Sequence, residues 1–323
     1  MPDVKLRIAG HEYGGWTKVS VSASMEQLAG TFEIGMTPKD PSQIEKTPIK
    51  RGAPCRVLYG DEVLITGFVD MAGPGLTENT YDIQVAGRDV TCDLVDCCHI
   101  GTTQEWKNED LLTIARAVCL PFGSITVASE VDLGGKMASA KTNQGDTIHA
   151  FLLRLARQQS VIMVSYGDGR LVFTRAGTTR MGVSLVQGEN IKAARITGSN
   201  RDRFSEYHVK GQASTASLNL SKPPKPGAEM YDAAMELFSK SEAAKATATD
   251  PGVGRYRPMI IISQTGSTQA EMETRAKWEA AHRAGRANRA TITVAGWEAA
   301  TGKPWRINRL VPVDCPRLGM DDD

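Results

Sequence analysis

No apolar run in the 323 residues approaches the roughly 20 that a helix needs to cross a bilayer. The opening residues, MPDVKLRIAG, lack a signal-peptide core and begin as a strand, so synthesis and folding in a cytoplasm are expected, with no membrane partner. Neither sign of charge is in excess: 38 Lys and Arg stand against 37 Asp and Glu, for a net charge of +1. That balance gives no global pull toward nucleic acid or an anionic surface. The six cysteines contain no CxxC pair, and Cys97–Cys98–His99 is their only cluster. Free, buried or partly buried thiols are therefore expected at Cys55, Cys92, Cys97, Cys98, Cys119 and Cys315, and no metal or other cofactor.

Catalytic patterns are missing too. The five histidines are dispersed, no serine lies in GxSxG, and HExxH does not occur. The paired acids Glu109–Asp110 and Glu271–Glu273 fall at expected helix starts, where they complement the helix dipole. Gly73–Pro74–Gly75 reads as a loop rather than a phosphate cradle, because it does not lead from a strand into a helix. No enzyme is expected, and no catalytic residue is assigned.

What is present is a succession of short alternating runs. Val4, Leu6 and Ile8 alternate with Lys5 and Arg7; Gly10–His11 is a turn; Val19–Val21 and Phe32–Ile34 alternate again. Cys55–Val57–Tyr59 and Val63–Ile65 flank the turn Gly60–Asp61, and Tyr81–Ile83–Val85 leads to Gly87–Arg88–Asp89. Pro38, Pro41 and Pro48 belong to a polar loop between strands. Residues 1–98 thus read as one all-β unit, a sandwich or barrel.

The period then changes. Asn108 is positioned to cap a helix over Glu109–Cys119 with Leu111, Ile114, Ala115 and Val118 inward. Asp146 or Thr147 caps a second, with Ile148, Phe151, Leu152, Leu155 and Ala156 as its apolar face. A hairpin follows, Val161–Val164 and Leu171–Phe173 around Gly167–Asp168–Gly169. Residues 99–178 read as a small α+β unit. Its Gly145–Asp146–Thr147–Ile148 start is similar to that of a LysM peptidoglycan-binding module, so a cell-wall-binding module used during penetration is the alternative function.

From Val183 the β pattern returns, with Ile191–Ile196, Tyr207–Val209 and Met259–Ile262 strand-like. SKPPKPG (221–227) is an extended connector, and Tyr231–Ala248 is helix-prone. Thr268 and Glu271 form a capping box. Met272, Ala276, Ala280, Ala284 and Ala287 make a small-residue stripe, with acids early (Glu271, Glu273, Glu279) and bases late, as the macrodipole prefers. Strands Thr291–Trp297 and Trp305–Val313 follow, around Gly302–Lys303–Pro304. Arg275, Lys277, Arg283, Arg286 and Arg289 form the best basic patch, with His282 among them. It reads as a nucleic-acid face, or as a solvated or subunit-interface surface; aromatic residues are too thin there to favour nucleic acid.

Long segments resemble one family. VKLRIAGHEYGGWTKVSVSASMEQLAGTFEI resembles the N-terminus of the baseplate hub proteins of Mu-like phages, the Mu P protein family, and VAGRDVTCDLVDC resembles their next marker. LLRLARQQSVIMVSYGDGRLVFTRAG, RFSEYHVKGQ and AKWEAAHRAGRANRATITVAGW are similar to later ones, in order from about residue 4 to 315. The wider superfamily includes the T4 tail hub, late-control D proteins and the base of type VI secretion spikes. The resemblance implies an α+β, mainly β chain: two β-barrel-like domains with a small α+β insert and helical connecting segments. The expected division is 1–98, first barrel; 99–178, α+β; and 179–323, second barrel with the Pro-rich connector and helical segments over 219–290. It further implies a structural hub without catalytic residues in the tail baseplate of a virion. The hub would be a homotrimer whose pseudo-sixfold ring joins a hexameric tube to a trimeric spike around a channel. Its implied partners are the tail spike protein, tail tube or tube-initiator proteins, baseplate wedge proteins and the tape measure protein, with DNA only as passing cargo. In that context Arg275, Lys277, Arg283, Arg286 and Arg289 are expected at a subunit interface or on the lumen.

Overall fold

The computed structural model describes residues 3–36, 49–76, 81–211, 245–263, 268–300 and 302–320. The proline loop at Pro38, Pro41 and Pro48, the SKPPKPG connector and residues 231–244 of the expected helix lie outside them.

The first strand, β1 (Val4–Ile8), buries Val4, Leu6 and Ile8 and leaves Lys5 and Arg7 outside, where both pair with Glu12. A two-residue turn, Ala9–Gly10, has positive φ at both positions, which matches the twist of a hairpin into β2 (His11–Tyr13). Then come β3 (Lys18–Ser22), β4 (Thr31–Met36), β5 (Pro54–Tyr59), β6 (Glu62–Leu76) and β7 (Tyr81–Asp89). They form one seven-stranded sheet in the order β2-β1-β5-β6-β7-β4-β3, with neighbours antiparallel. It closes on a core of Leu6, Phe32, Ile34, Val57, Ile65, Val69 and Val85.

Gly73–Pro74–Gly75, expected as a loop, lies within β6 and pairs with Gln84, Ile83 and Asp82. The pairing tolerates proline because bonding on the β5 side ends at Val69, so from there to Pro74 β6 has a ladder partner on one side alone among the described residues.

Helix α1 (Cys92–Asp96) carries the chain to a second core, to which Val90 and Leu94 belong. Strand β8 (Glu105–Glu109) occupies the place expected for the start of a helix and pairs with β10 (Met137–Lys141). That ladder holds Asn108 in the sheet, with φ of 55°, so the cap falls to Asp110. The Asp110 carboxylate accepts from the Thr113 N–H at 2.8 Å, opening α2 (Leu111–Cys119). Asp110→Ala is expected to cost about 1 kcal/mol, read as a lower thermal midpoint. Thr147 caps α3 (Ile148–Gln158), whose predicted apolar face is buried throughout. Both helices pack on a three-stranded sheet, β11-β12-β9, of β9 (Thr126–Ser129), β11 (Ile162–Ser165) and β12 (Arg170–Thr174).

The third region is built of small sheets. β13 (Leu185–Val186) precedes β14 (Ile191–Gly198), then β15 (Glu206–Lys210), β16 (Lys245–Thr249) and β17 (Pro258–Ile262) in the order β16-β15-β17. The end of the Tyr231–Ala248 segment, expected as helix, is therefore strand. Its KATAT alternation buries Ala246 and pairs with β15 along the whole strand.

Helix α4 (Gln269–Ala287) starts at the predicted capping box and lies on β15 and β16, with Met272 and Ala276 meeting Val209 and Ala246. It runs directly into β18 (Asn288–Val294), which pairs with β14. The expected strand Trp305–Val313 does not form. After the short hairpin β19 (Glu298–Ala300) and β20 (Lys303–Pro304), Asn308 takes a positive φ, and its side chain binds the Gly177 N–H and Arg175 carbonyl. Pairing resumes with an isolated bridge from Leu310 to Arg180 and then at β21 (Val313–Asp314), beside β13.

Candidate functional site

The expected basic row does not lie on one surface. Arg275 points inward: its guanidinium donates to the Glu279 carboxylate at 2.5 Å, and their side chains are only 12% and 7% exposed. Arg283 donates to the other Glu279 oxygen at 3.2 Å and to the Asp202 carbonyl, and it stacks over Phe204. Glu279, expected as a dipole-complementing acid, is instead the buried centre of an ion triad. Burial pulls Arg275 below the usual guanidinium range, against the opposing pull of Glu279. Arg286 and Arg289 reach the other way and clamp Glu26 of the first region at 3.0 and 2.6 Å, a contact that lowers the Glu26 pKa. Lys277 is exposed and has no partner among the described residues.

Between these arms lies a cleft of ≈ 290 Å³, which Arg157 of α3, Ser199, Trp278 and His282 help to line. His282 stacks on Trp278 with ring centroids 4.7 Å apart and planes 9° apart. Burial, then the Arg286 charge, holds its pKa below 6.5. The unfolded chain therefore takes up the proton first. The stability of the neutral stack is present above about pH 6.5 and is lost as pH falls below it. His149 is shifted the same way by burial. The thermal midpoint is thus expected to drop between about pH 7.5 and 5.5, and His282→Gln to make that drop shallower.

Sequence reasoning missed Glu26, Arg157 and Phe204, which are far from α4 along the chain. Arg154 and Arg157, one turn apart on the polar side of α3, were the available signal. Among the described residues no group of three or more His, Cys, Asp or Glu is placed to hold a metal. Cys55, Cys92, Cys119 and Cys315 are buried free thiols, Cys97 is half-buried, and Cys98 is exposed. Burial pushes Cys55, Cys92 and Cys119 up to about 12, so they are poor nucleophiles.

Three family profiles match the chain in order. Residues 3–89 match the N-terminal part of the Mu phage baseplate assembly protein GpP-like family, 91–175 the second domain of the baseplate hub protein gp44-like family, and 268–323 the fourth domain of the Mu phage baseplate assembly protein GpP. The baseplate hub protein gp44 of Escherichia phage Mu is 36% identical over 323 aligned residues, covering 98% of this chain and 80% of that protein. The chain belongs to the Mu-like baseplate hub family. The 43 kDa tail protein of prophage MuSo2 from Shewanella oneidensis superposes on this hub protein with a TM-score of 0.81 and 38% identity, covering 100% of this chain and 91% of that one. A tail protein from Neisseria meningitidis MC58 shares the fold alone, with a TM-score of 0.78 at 20% identity over 99% of this chain and 88% of its own. The mainly β, α+β architecture of the hub is that of these phage tail proteins.

Proposed function

We propose that this hub protein forms a trimeric, pseudo-sixfold ring in the baseplate of a contractile phage tail or tail-like particle. The ring joins a hexameric tail tube to a trimeric spike and surrounds the channel through which DNA passes. The role is mechanical rather than catalytic, and the protein resides in the virion. The domains are taken as 1–98, 99–178 and 179–323, although Leu28, Val90 and Leu94 of the first pack into the core of the second.

One observation carries the reading. Strands β14 and β18 make a two-stranded ribbon, most of whose residues are exposed, including Ile196 at 42%. Such a ribbon is marginal in water by itself. Its outer edges have no ladder partner among the described residues, and a neighbouring copy is the partner that symmetry supplies at no extra sequence cost. Arg286 and Arg289 lie at its base, so these two, rather than the buried Arg275, are proposed for the subunit interface or lumen. Light scattering of the purified protein is expected to give three times the 34.9 kDa chain mass. A monomer at every concentration would overturn the ring.

A further inference from the structure

Two clefts adjoin along α3 and α4, and Arg157 lines both. The second is ≈ 430 Å³ and joins Leu153, Ile261 and Ile262 to Arg154, Arg157 and Arg275. Arg154 is held by Asp146, Arg275 and Arg283 share Glu279, and Arg286 and Arg289 share Glu26. Arg157 has no carboxylate partner among the described residues, while Asp202 borders the first cleft. Six guanidinium groups thus face four carboxylates, and the surplus is local in a chain of net charge +1. The Nε of Arg275, on the wall of the second cleft, is buried with no acceptor among the described residues.

The paired clefts have two ends of different character. One is cationic, and its rim already grips a carboxylate, Glu26. The other is apolar, with Ile262 58% exposed, and is formed by β17, the outer strand of its sheet among the described residues. An outer strand can accept an extended segment by backbone pairing. Nucleic acid fits less well. Its backbone needs a track of unpaired cations, whereas these are largely neutralised, and the apolar end offers a phosphodiester nothing.

We propose that the paired clefts dock an extended segment of a partner protein, placing an acidic side chain at Arg157 and an apolar one on Leu153, Ile261 and Ile262. The site rests on the hub reading only in needing a protein partner, and stands whether or not copies close into a ring.

The test is fluorescence anisotropy on the full chain at low salt. The probes are a short labelled peptide of alternating Asp and Leu, its Asn–Leu counterpart, and a single-stranded oligonucleotide of equal charge. The Asp–Leu peptide is expected to bind about tenfold or more tightly than either other probe. Arg157→Glu, at an exposed position, should weaken it by about tenfold, and Arg157→Gln by less. Lys136→Glu, which lines neither cleft, should leave it unchanged. No binding of the Asp–Leu peptide, equal binding of the Asn–Leu peptide or the oligonucleotide, or full binding by Arg157→Glu would each overturn the proposal. Light scattering of the same variants reports on the ring separately.

Discussion

Glu279→Ala is expected to destabilise the third region by about 3–5 kcal/mol, among the largest effects of any single side-chain truncation in α4. The Glu279 carboxylate holds two guanidinium groups, one from a turn before it and one from a turn after it, at 2.5 and 3.2 Å. Arg275 is almost wholly out of water, with its ring-side neighbour Trp278 at 5.2 Å. Removing the acid leaves a buried cation with nothing to balance it, and burial already disfavours its charged form. The pair itself need not add stability, because forming it required desolvating both ions. Replacing both partners by apolar groups, Arg275→Met with Glu279→Leu, should therefore recover most of the loss. Urea denaturation of the two single variants and the double variant measures the coupling. If Glu279→Ala lies within about 1 kcal/mol of the parent, the triad is solvated and Arg275 needs no buried counter-charge.

Glu279 also marks where sequence stops being informative. The capping box at Thr268, the small-residue stripe and the abrupt change of period into β18 were all legible, because each depends on residues within a turn or two. An acid in the body of a helix is consistent with dipole complementarity and equally with burial; only the approach of the Asp202–Phe204 loop decides. The arginines divide for the same reason. Spacing put them on one helix, but Glu26 and Glu279, on different elements, pull them to opposite sides. Asn308 is a parallel case in the fold. Its alternating neighbours read as strand, yet its amide is engaged by backbone more than a hundred residues earlier, and the extended run breaks. The first sheet was the most legible part because its alternation is strict and its turns carry glycine.

Gly167→Ala is expected to be the most damaging small substitution in the molecule, since it breaks the seat of the second region on the first. Gly167 lies in the turn between β11 and β12, at φ +80°, a conformation that costs a residue with a Cβ about 1–2 kcal/mol. An added Cβ would also stand 1.9 Å from the Leu64 carbonyl oxygen, which is backbone and cannot swing away. Leu64 is the extra residue where β6 slips register against β5: Val57 faces Ile65 while Leu58 faces Val63. That bulge turns the strand toward the hairpin, and the Thr66 N–H completes the seat by donating to the Gly167 carbonyl at 2.5 Å. To relieve the overlap the hairpin must lift, losing this hydrogen bond and leaving its groups short of partners, roughly another 1–3 kcal/mol. Two controls separate the terms. Gly188→Ala has φ +90° and open space around it, so it carries the conformational cost alone. Gly67→Ala has no positive φ, but its Cβ would meet the Arg88 carbonyl at 1.9 Å, so it carries the overlap alone. Gly167→Ala should exceed Gly188→Ala by about 2 kcal/mol in urea denaturation, and hydrogen exchange should show the Thr66 amide losing protection. Equal losses for Gly167→Ala and Gly188→Ala would mean that the hairpin and β6 separate freely, and that the two regions are not locked together at this turn.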